Sequence, residues 1–141
     1  MKYVHELMKT EVITHLPSDT LRDAEATMGT HQIRHVPVVD ADGKLLGLMS
    51  QREFLTEAFR ITDKFGAHLL QEYLAKTPIE QCMQQDLVTS GPETLLKEAA
   101  DIIHDNRRQG CVLVVDEEGY LEGLLTSLDF VKLAARLLPD N

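Results

Sequence analysis

Apolar residues recur at helical spacing over Leu21, Ala24 and Met28, and again over Leu95, Ala99, Ile102 and Ile103, so both stretches predict amphipathic helices. Each is followed by a short, branched apolar run, Val36 to Val39 and Val112 to Val115, of the length and composition of a buried strand. Asp40-Ala41-Asp42-Gly43 and Asp116-Glu117-Glu118-Gly119 then read as tight hairpin turns in which glycine supplies positive φ. The strands Leu45 to Met49 and Leu121 to Leu125 return from these turns and hand directly to helices. Ahead of the first helices, Val12-Ile13-Thr14 and Leu87-Val88-Thr89 predict short strands, closed by turns at Pro17 and Pro92. The order β-α-β-β-α therefore occurs twice.

The two copies align residue by residue. Val4-His5-Glu6-Leu7-Met8 matches Ile79-Glu80-Gln81-Cys82-Met83, and Gly47-Leu48-Met49-Ser50 matches Gly123-Leu124-Leu125-Thr126. The offset moves only from 75 (Val12 to Leu87) to 74 (Thr20 to Thr94) to 76 (Val38 to Val114). A period this long is a duplicated supersecondary unit, longer than a solenoid repeat. On its own each unit presents an apolar face that its twin can cover. The repeats are read as residues 1–60 and 78–141, with 61–77 as a helical connector in which a helix starting near Phe54 is broken near Gly66. The last helix, Leu128 to Leu138, is apolar around more than one face, so one side is expected to meet the connector or a second chain.

Charge narrows the functions. With 14 Lys and Arg against 23 Asp and Glu, the net charge is −9, and no dense basic stripe offsets it, so a nucleic-acid surface is not expected. Apolar runs of about four residues fall far short of the ~20 that span a bilayer. The N-terminus lacks the pattern of a signal peptide, and a cytoplasmic location is the default expectation. Cys82 and Cys111 stand alone, without metal-ligand or disulfide spacing, and read as buried reduced thiols. Asp40-Ala41-Asp42-Gly43 resembles the start of a calcium loop, but position 12 of that loop is Gln51 rather than Glu, so no metal site is assigned.

The candidate chemistry follows the last strand of each copy: Ser50-Gln51-Arg52-Glu53 and Thr126-Ser127-Leu128-Asp129. A hydroxyl residue three positions before an acid at a helix start is a capping box. The same geometry offers free backbone N–H groups and a hydroxyl to a phosphate, and a carboxylate to a ribose diol. The two readings are compatible, because a ligand can recruit a cap. No phosphate-binding Gly-rich loop, dinucleotide fingerprint or His-Glu-x-x-His pair is present, so an enzyme is not expected.

Taken together, His35-Val36-Pro37-Val38-Val39-Asp40 and the two Gly-h-h-Ser/Thr-x-x-Asp/Glu endings (h, apolar) resemble a tandem pair of cystathionine-β-synthase-type (CBS) domains, a Bateman module. The resemblance implies an α/β fold of the α+β type, with two pseudo-symmetric repeats packed through their sheets and an adenosyl ligand in the clefts between them. It implies Asp129 on the ribose, Thr126 and the neighbouring Ser127 at the phosphate, and Ile33, His35 and Pro37 lining that site from the other copy. It implies a second site at Ser50, Arg52 and Glu53, faced by Thr89, Arg107, Arg108 and Cys111. There Glu53 replaces the family's Asp with a side chain one methylene longer, and Cys111 stands where the first copy has His35, so the Asp129 site ranks first. Arg34 and His35, like Arg107 and Arg108, serve equally well as helix C-terminal caps.

The function expected is a ligand-sensing regulatory module for AMP, ADP, ATP or a related adenosyl compound, acting on an unidentified partner protein and forming a homodimer. The alternative is a structural dimerisation or docking module with vestigial clefts.

Overall fold

The computed structural model describes residues 1–140. Its elements are α1 (Leu21–His31), β1 (His35–Val39), β2 (Leu45–Ser50), α2 (Gln51–Phe65), α3 (Leu70–Lys76), β3 (Thr89–Ser90), α4 (Leu96–Asp105), β4 (Cys111–Val115), β5 (Leu121–Thr126) and α5 (Ser127–Leu137). Short 3-10 turns at Val4–Glu6, Ala67–Leu69 and Ile79–Gln81 complete the order. The helical connector breaks where the sequence says it should: Gly66, at φ 92°, ends α2 in a conformation that side chains resist.

The chain folds as two compact units, Ile13–Leu87 and Met1–Val12 with Val88–Asn141. These are cut differently from the sequence repeats. Each leading turn packs in the unit of the other copy's first helix. Val4 shares a core with Leu96, Ala99, Val112, Val114 and Leu125, while Ile79 shares one with Leu21, Ala24, Met28, Val36 and Val38. The backbone repeats the pattern: Val4 N–H donates to Thr94 O at 2.8 Å and Ile79 N–H to Asp19 O at 2.7 Å. Leu96 N–H donates to Lys2 O and Leu21 N–H to Thr77 O, both at 2.9 Å. The connector 61–77 lies in the same unit as residues 13–60.

In each unit an antiparallel hairpin forms the floor. β1 pairs with β2 and β4 with β5, and both ladders shift register at the same place, between Val38 and Val39 and between Val114 and Val115. Glycines make the next layer possible. A Cβ on Gly123 would lie 2.5 Å from the Met8 sulfur and 3.0 Å from Lys9 O, and one on Gly47 would lie 2.6 Å from the Met83 sulfur and 3.0 Å from Gln84 O. With hydrogen in place of Cβ, Lys9 exchanges two backbone hydrogen bonds with Leu124, and Gln84 two with Leu48.

The strands expected at 12–14 and 87–89 differ from that expectation. β3 forms as two residues parallel to β4, Thr89 opposite Leu113 and Ser90 opposite Val114. In the other unit only a single bridge remains, His15 to Val38. His15 N–H donates to Pro37 O and Val39 N–H to His15 O, so the polar groups of Pro37 face this segment. Proline has no N–H for the next rung, and the ladder stops there. Leu113, the counterpart of Pro37, keeps its N–H.

Candidate functional site

Each unit has one edge where the second hairpin strand runs into a helix, and the sequence-predicted residues sort onto those two edges. Thr89, Arg108, Cys111, Thr126, Ser127 and Asp129 lie in one unit, and Ile33, His35, Pro37, Ser50, Arg52 and Glu53 in the other. Cross-strand pairing sets Cys111 opposite Thr126 and His35 opposite Ser50.

At the α5 edge the capping chemistry is complete. Asp129 is buried, and its Oδ2 accepts from the Thr126 backbone N–H at 2.9 Å, with the Thr126 hydroxyl at 3.4 Å. Its other oxygen, Oδ1, faces the Lys9 ammonium at 3.6 Å. Ser127, the first residue of α5, is exposed, and among the described residues no backbone carbonyl outside the helix takes its N–H. Burying a carboxylate beside a helix N-terminus costs little, because the amide dipoles there favour negative charge.

The α2 edge is built differently. Glu53 is also buried, but its extra methylene brings the carboxylate onto a hydroxyl: Ser50 Oγ donates to Glu53 Oε1 at 3.1 Å, while Glu53 N–H donates back to Ser50 Oγ at a long 3.5 Å. The first amide of this helix is already used, since Gln51 N–H donates to Arg34 O at 2.8 Å. This edge offers an incoming anion one donor fewer.

The remaining candidates divide between packing and surface. Ile33 packs on the core of its own unit, and Pro37 is buried in β1. His35 is half-buried; burial, reinforced by the Arg34 charge, lowers its pKa below the ordinary histidine value, so it presents a neutral ring at pH 7. Cys111 is buried, and burial pushes its thiol up to about 12; Cys82, half-buried rather than buried as expected, is pushed up to about 11 by burial and then by the Glu57 carboxylate. Neither thiol ionises near neutral pH. Arg52, Arg108 and Thr89 are exposed, and both arginines are free of salt bridges among the described residues.

A model of the CBS domain matches residues 4–60 and 79–136, which together make up most of the chain. The chain belongs to the CBS domain family. It is 34% identical over 118 residues to inosine-5'-monophosphate dehydrogenase of Halalkalibacterium halodurans, covering 83% of this chain and 21% of that enzyme. The chain thus spans about a fifth of the length of the curated relatives it matches. Among solved structures, AcuB of Vibrio cholerae is similar at 35% identity and a TM-score of 0.80, over 97% of this chain and 93% of that one. CBSX2 of Arabidopsis thaliana, solved in complex with AMP, has the same fold at 22% identity and a TM-score of 0.79, over 97% and 98% of the two chains. The tandem CBS pair and its α/β fold, as the motif resemblance implied, are thereby shown.

Sequence reading missed three residues that shape these edges. Lys9 and Gln84 follow Met8 and Met83 at the shared offset of 75, and a charge difference at matched positions was the available signal. Gln109 is 2% exposed and acts as a piece of backbone: its side chain accepts from Val88 N–H at 2.8 Å and donates to Val88 O at 2.8 Å and Cys111 O at 2.9 Å. No helix is long and apolar enough to cross a membrane among the described residues.

Proposed function

We propose that this CBS pair is a non-catalytic, ligand-sensing regulatory module that holds AMP, ADP, ATP or a related adenosyl compound and changes its association with a partner protein when the ligand binds. The observation that carries this reading is Asp129: a buried carboxylate whose Oδ2 is committed to the cap while Oδ1 is held only by the Lys9 ammonium at 3.6 Å and would take a ligand diol, beside a helix whose first amide is unclaimed. The AMP complex of the similarly folded CBSX2 supports the ligand class. Thr126 and Ser127 would donate to phosphate, and Asp129 would accept from the ribose. The α2 edge, with Ser50, Arg52 and Glu53, is the weaker of the two, because its carboxylate and its first amide are already engaged. His35, Cys111, Thr89 and Arg108 would shape the sites without adding a fixed charge, Arg108 excepted. In this reading the protein works in the cytoplasm.

The test is calorimetric titration and thermal unfolding with AMP, ADP, ATP and S-adenosylmethionine. A ligand at 100 times its dissociation constant raises stability by about 2.7 kcal/mol. Asp129→Ala is expected to weaken the tightest ligand by about 10- to 100-fold, the worth of hydrogen bonds to a charged group. Absence of binding by any of the four at millimolar concentration defeats the proposal.

A second role has its own observation. Leu55 and Phe59 on α2 and Leu128, Val131 and Leu137 on α5 are exposed, Phe59 at 69% and Val131 at 60%. Apolar helix faces of this kind favour self-association, and we assign them to a homodimer contact. Phe59→Glu with Val131→Glu should yield a monomer in sedimentation equilibrium; an unchanged mass excludes these faces.

A further inference from the structure

The two oxygens of Asp129 have different occupants. Oδ2 belongs to the cap, through the Thr126 N–H at 2.9 Å, so a diol donating to this carboxylate must take Oδ1, and Lys9 Nζ stands 3.6 Å from that atom. The pair is easily displaced. Its separation is beyond hydrogen-bond range, and the lysine side chain is 50% exposed against 9% for the aspartate, so the ammonium can rehydrate when it leaves. It remains on a flexible stem at the rim of the same edge, where an anion carried by the ligand gives it a new partner.

The matched position in the other unit carries no such charge. Gln84 exchanges the same two backbone bonds with Leu48 that Lys9 exchanges with Leu124, yet its side chain is neutral and its Oε1 is buried without a partner. Among the described residues no basic side chain forms a salt bridge with Glu53. A cation facing the acid is therefore one of the features that set the Asp129 edge apart from the Glu53 edge.

We propose that Lys9 is a specificity-determining residue of the Asp129 edge: it occupies Oδ1 when no ligand is present, yields that oxygen to the ribose, and then pairs with the ligand's phosphate. The Asp129 edge thereby selects phosphate-bearing nucleosides over the bare nucleoside. This rests on the reading of Asp129 as the ribose acceptor.

The test is calorimetric titration of the full chain with AMP and with adenosine, in the wild type, Lys9→Gln and Lys9→Arg. Gln already occupies the matched position, so Lys9→Gln should unfold at the wild-type temperature. The wild type is expected to prefer AMP, Lys9→Gln to reduce that preference about tenfold by weakening AMP, and Lys9→Arg to retain it. If AMP still binds and Lys9→Gln leaves the preference intact, or if Lys9→Arg loses it as Lys9→Gln does, the role of Lys9 falls while the ligand reading stands. Equal wild-type affinity for AMP and adenosine has the same meaning. Binding of neither compound removes the role of Lys9, and the ligand reading falls with it only if ADP, ATP and S-adenosylmethionine also fail to bind.

Discussion

The α5 and α2 edges start from the same plan and end with different chemistry. Both place a hydroxyl at a helix N-cap and an acid three residues later, and both pair the cap strand with the start of the hairpin. One methylene separates them. Asp129 is short enough to return to the cap's backbone amide, which leaves its other oxygen to Lys9; Glu53 folds onto the cap hydroxyl instead. Duplication thus preserves backbone geometry while side-chain length and charge decide what each copy can hold.

The same contrast appears where the first segment of each unit is fastened to its hairpin. In one unit His15 makes the attachment: Nδ1–H donates to Asp19 Oδ2 at 2.7 Å, and Nε2 is hydrogen-bonded to the Thr27 hydroxyl at 2.8 Å. In the other, the matched Ser90 has a buried hydroxyl without a partner, and Gln109 supplies the attachment. Ile33 stands at the position of Gln109 and packs on the core instead.

Four substitutions break or sharpen this comparison. The largest effect is expected from Ile79→Ala, which empties a fully buried position where the leading turn enters the core of residues 13–87; a loss of about 2–5 kcal/mol in urea unfolding is expected. A loss under 1 kcal/mol would mean that the turn is not part of that core. Next, Gln109→Ile installs the other unit's residue and removes both side-chain hydrogen bonds to the Val88 backbone, so stability should fall by about 2 kcal/mol and amide exchange at Val88 should accelerate. An unperturbed exchange rate would show that this attachment is dispensable.

His35 gives a pH signature. Its folded pKa lies below the ordinary value of about 6.5, so between the two values the unfolded chain binds more protons. The stability this contributes is complete above about pH 6.5 and is lost as pH falls through the folded pKa. His35→Gln should flatten that part of the stability curve; an unchanged slope would assign the dependence to other groups. The smallest effect is expected from Pro37→Leu, which restores the missing N–H and should protect the amides near His15 from exchange while changing stability by about 1 kcal/mol or less.

The repeats, the hairpins and the helix broken at Gly66 were all legible along the chain, because each depends on local periodicity or on a glycine with a required φ. The Thr126–Asp129 capping box was legible too, since three-residue spacing is a local signal, whereas the same spacing at Ser50 and Glu53 gave a cap without the return bond to the backbone. The strand at 12–14 was overread: its apolar residues fit a strand, but whether a ladder forms depended on Pro37, more than twenty positions away. Gln109 escaped notice because a lone glutamine carries no pattern, and its role exists only once Val88 lies beside it.

The sequence by itself determined that this protein is a duplicated CBS unit with an acid-capped helix start in each half. Local hydrophobic period and turn chemistry suffice for the duplication and its elements, and the resemblance of the two motif sets supplies the family. Only the tertiary structure decided that each leading turn joins the core of the other copy's helix, that Asp129 commits one oxygen to the cap, and that Lys9 faces the other. These depend on long-range closure, in which glycines at 47 and 123 let two backbones approach, and no local pattern records which side chain will then be within reach.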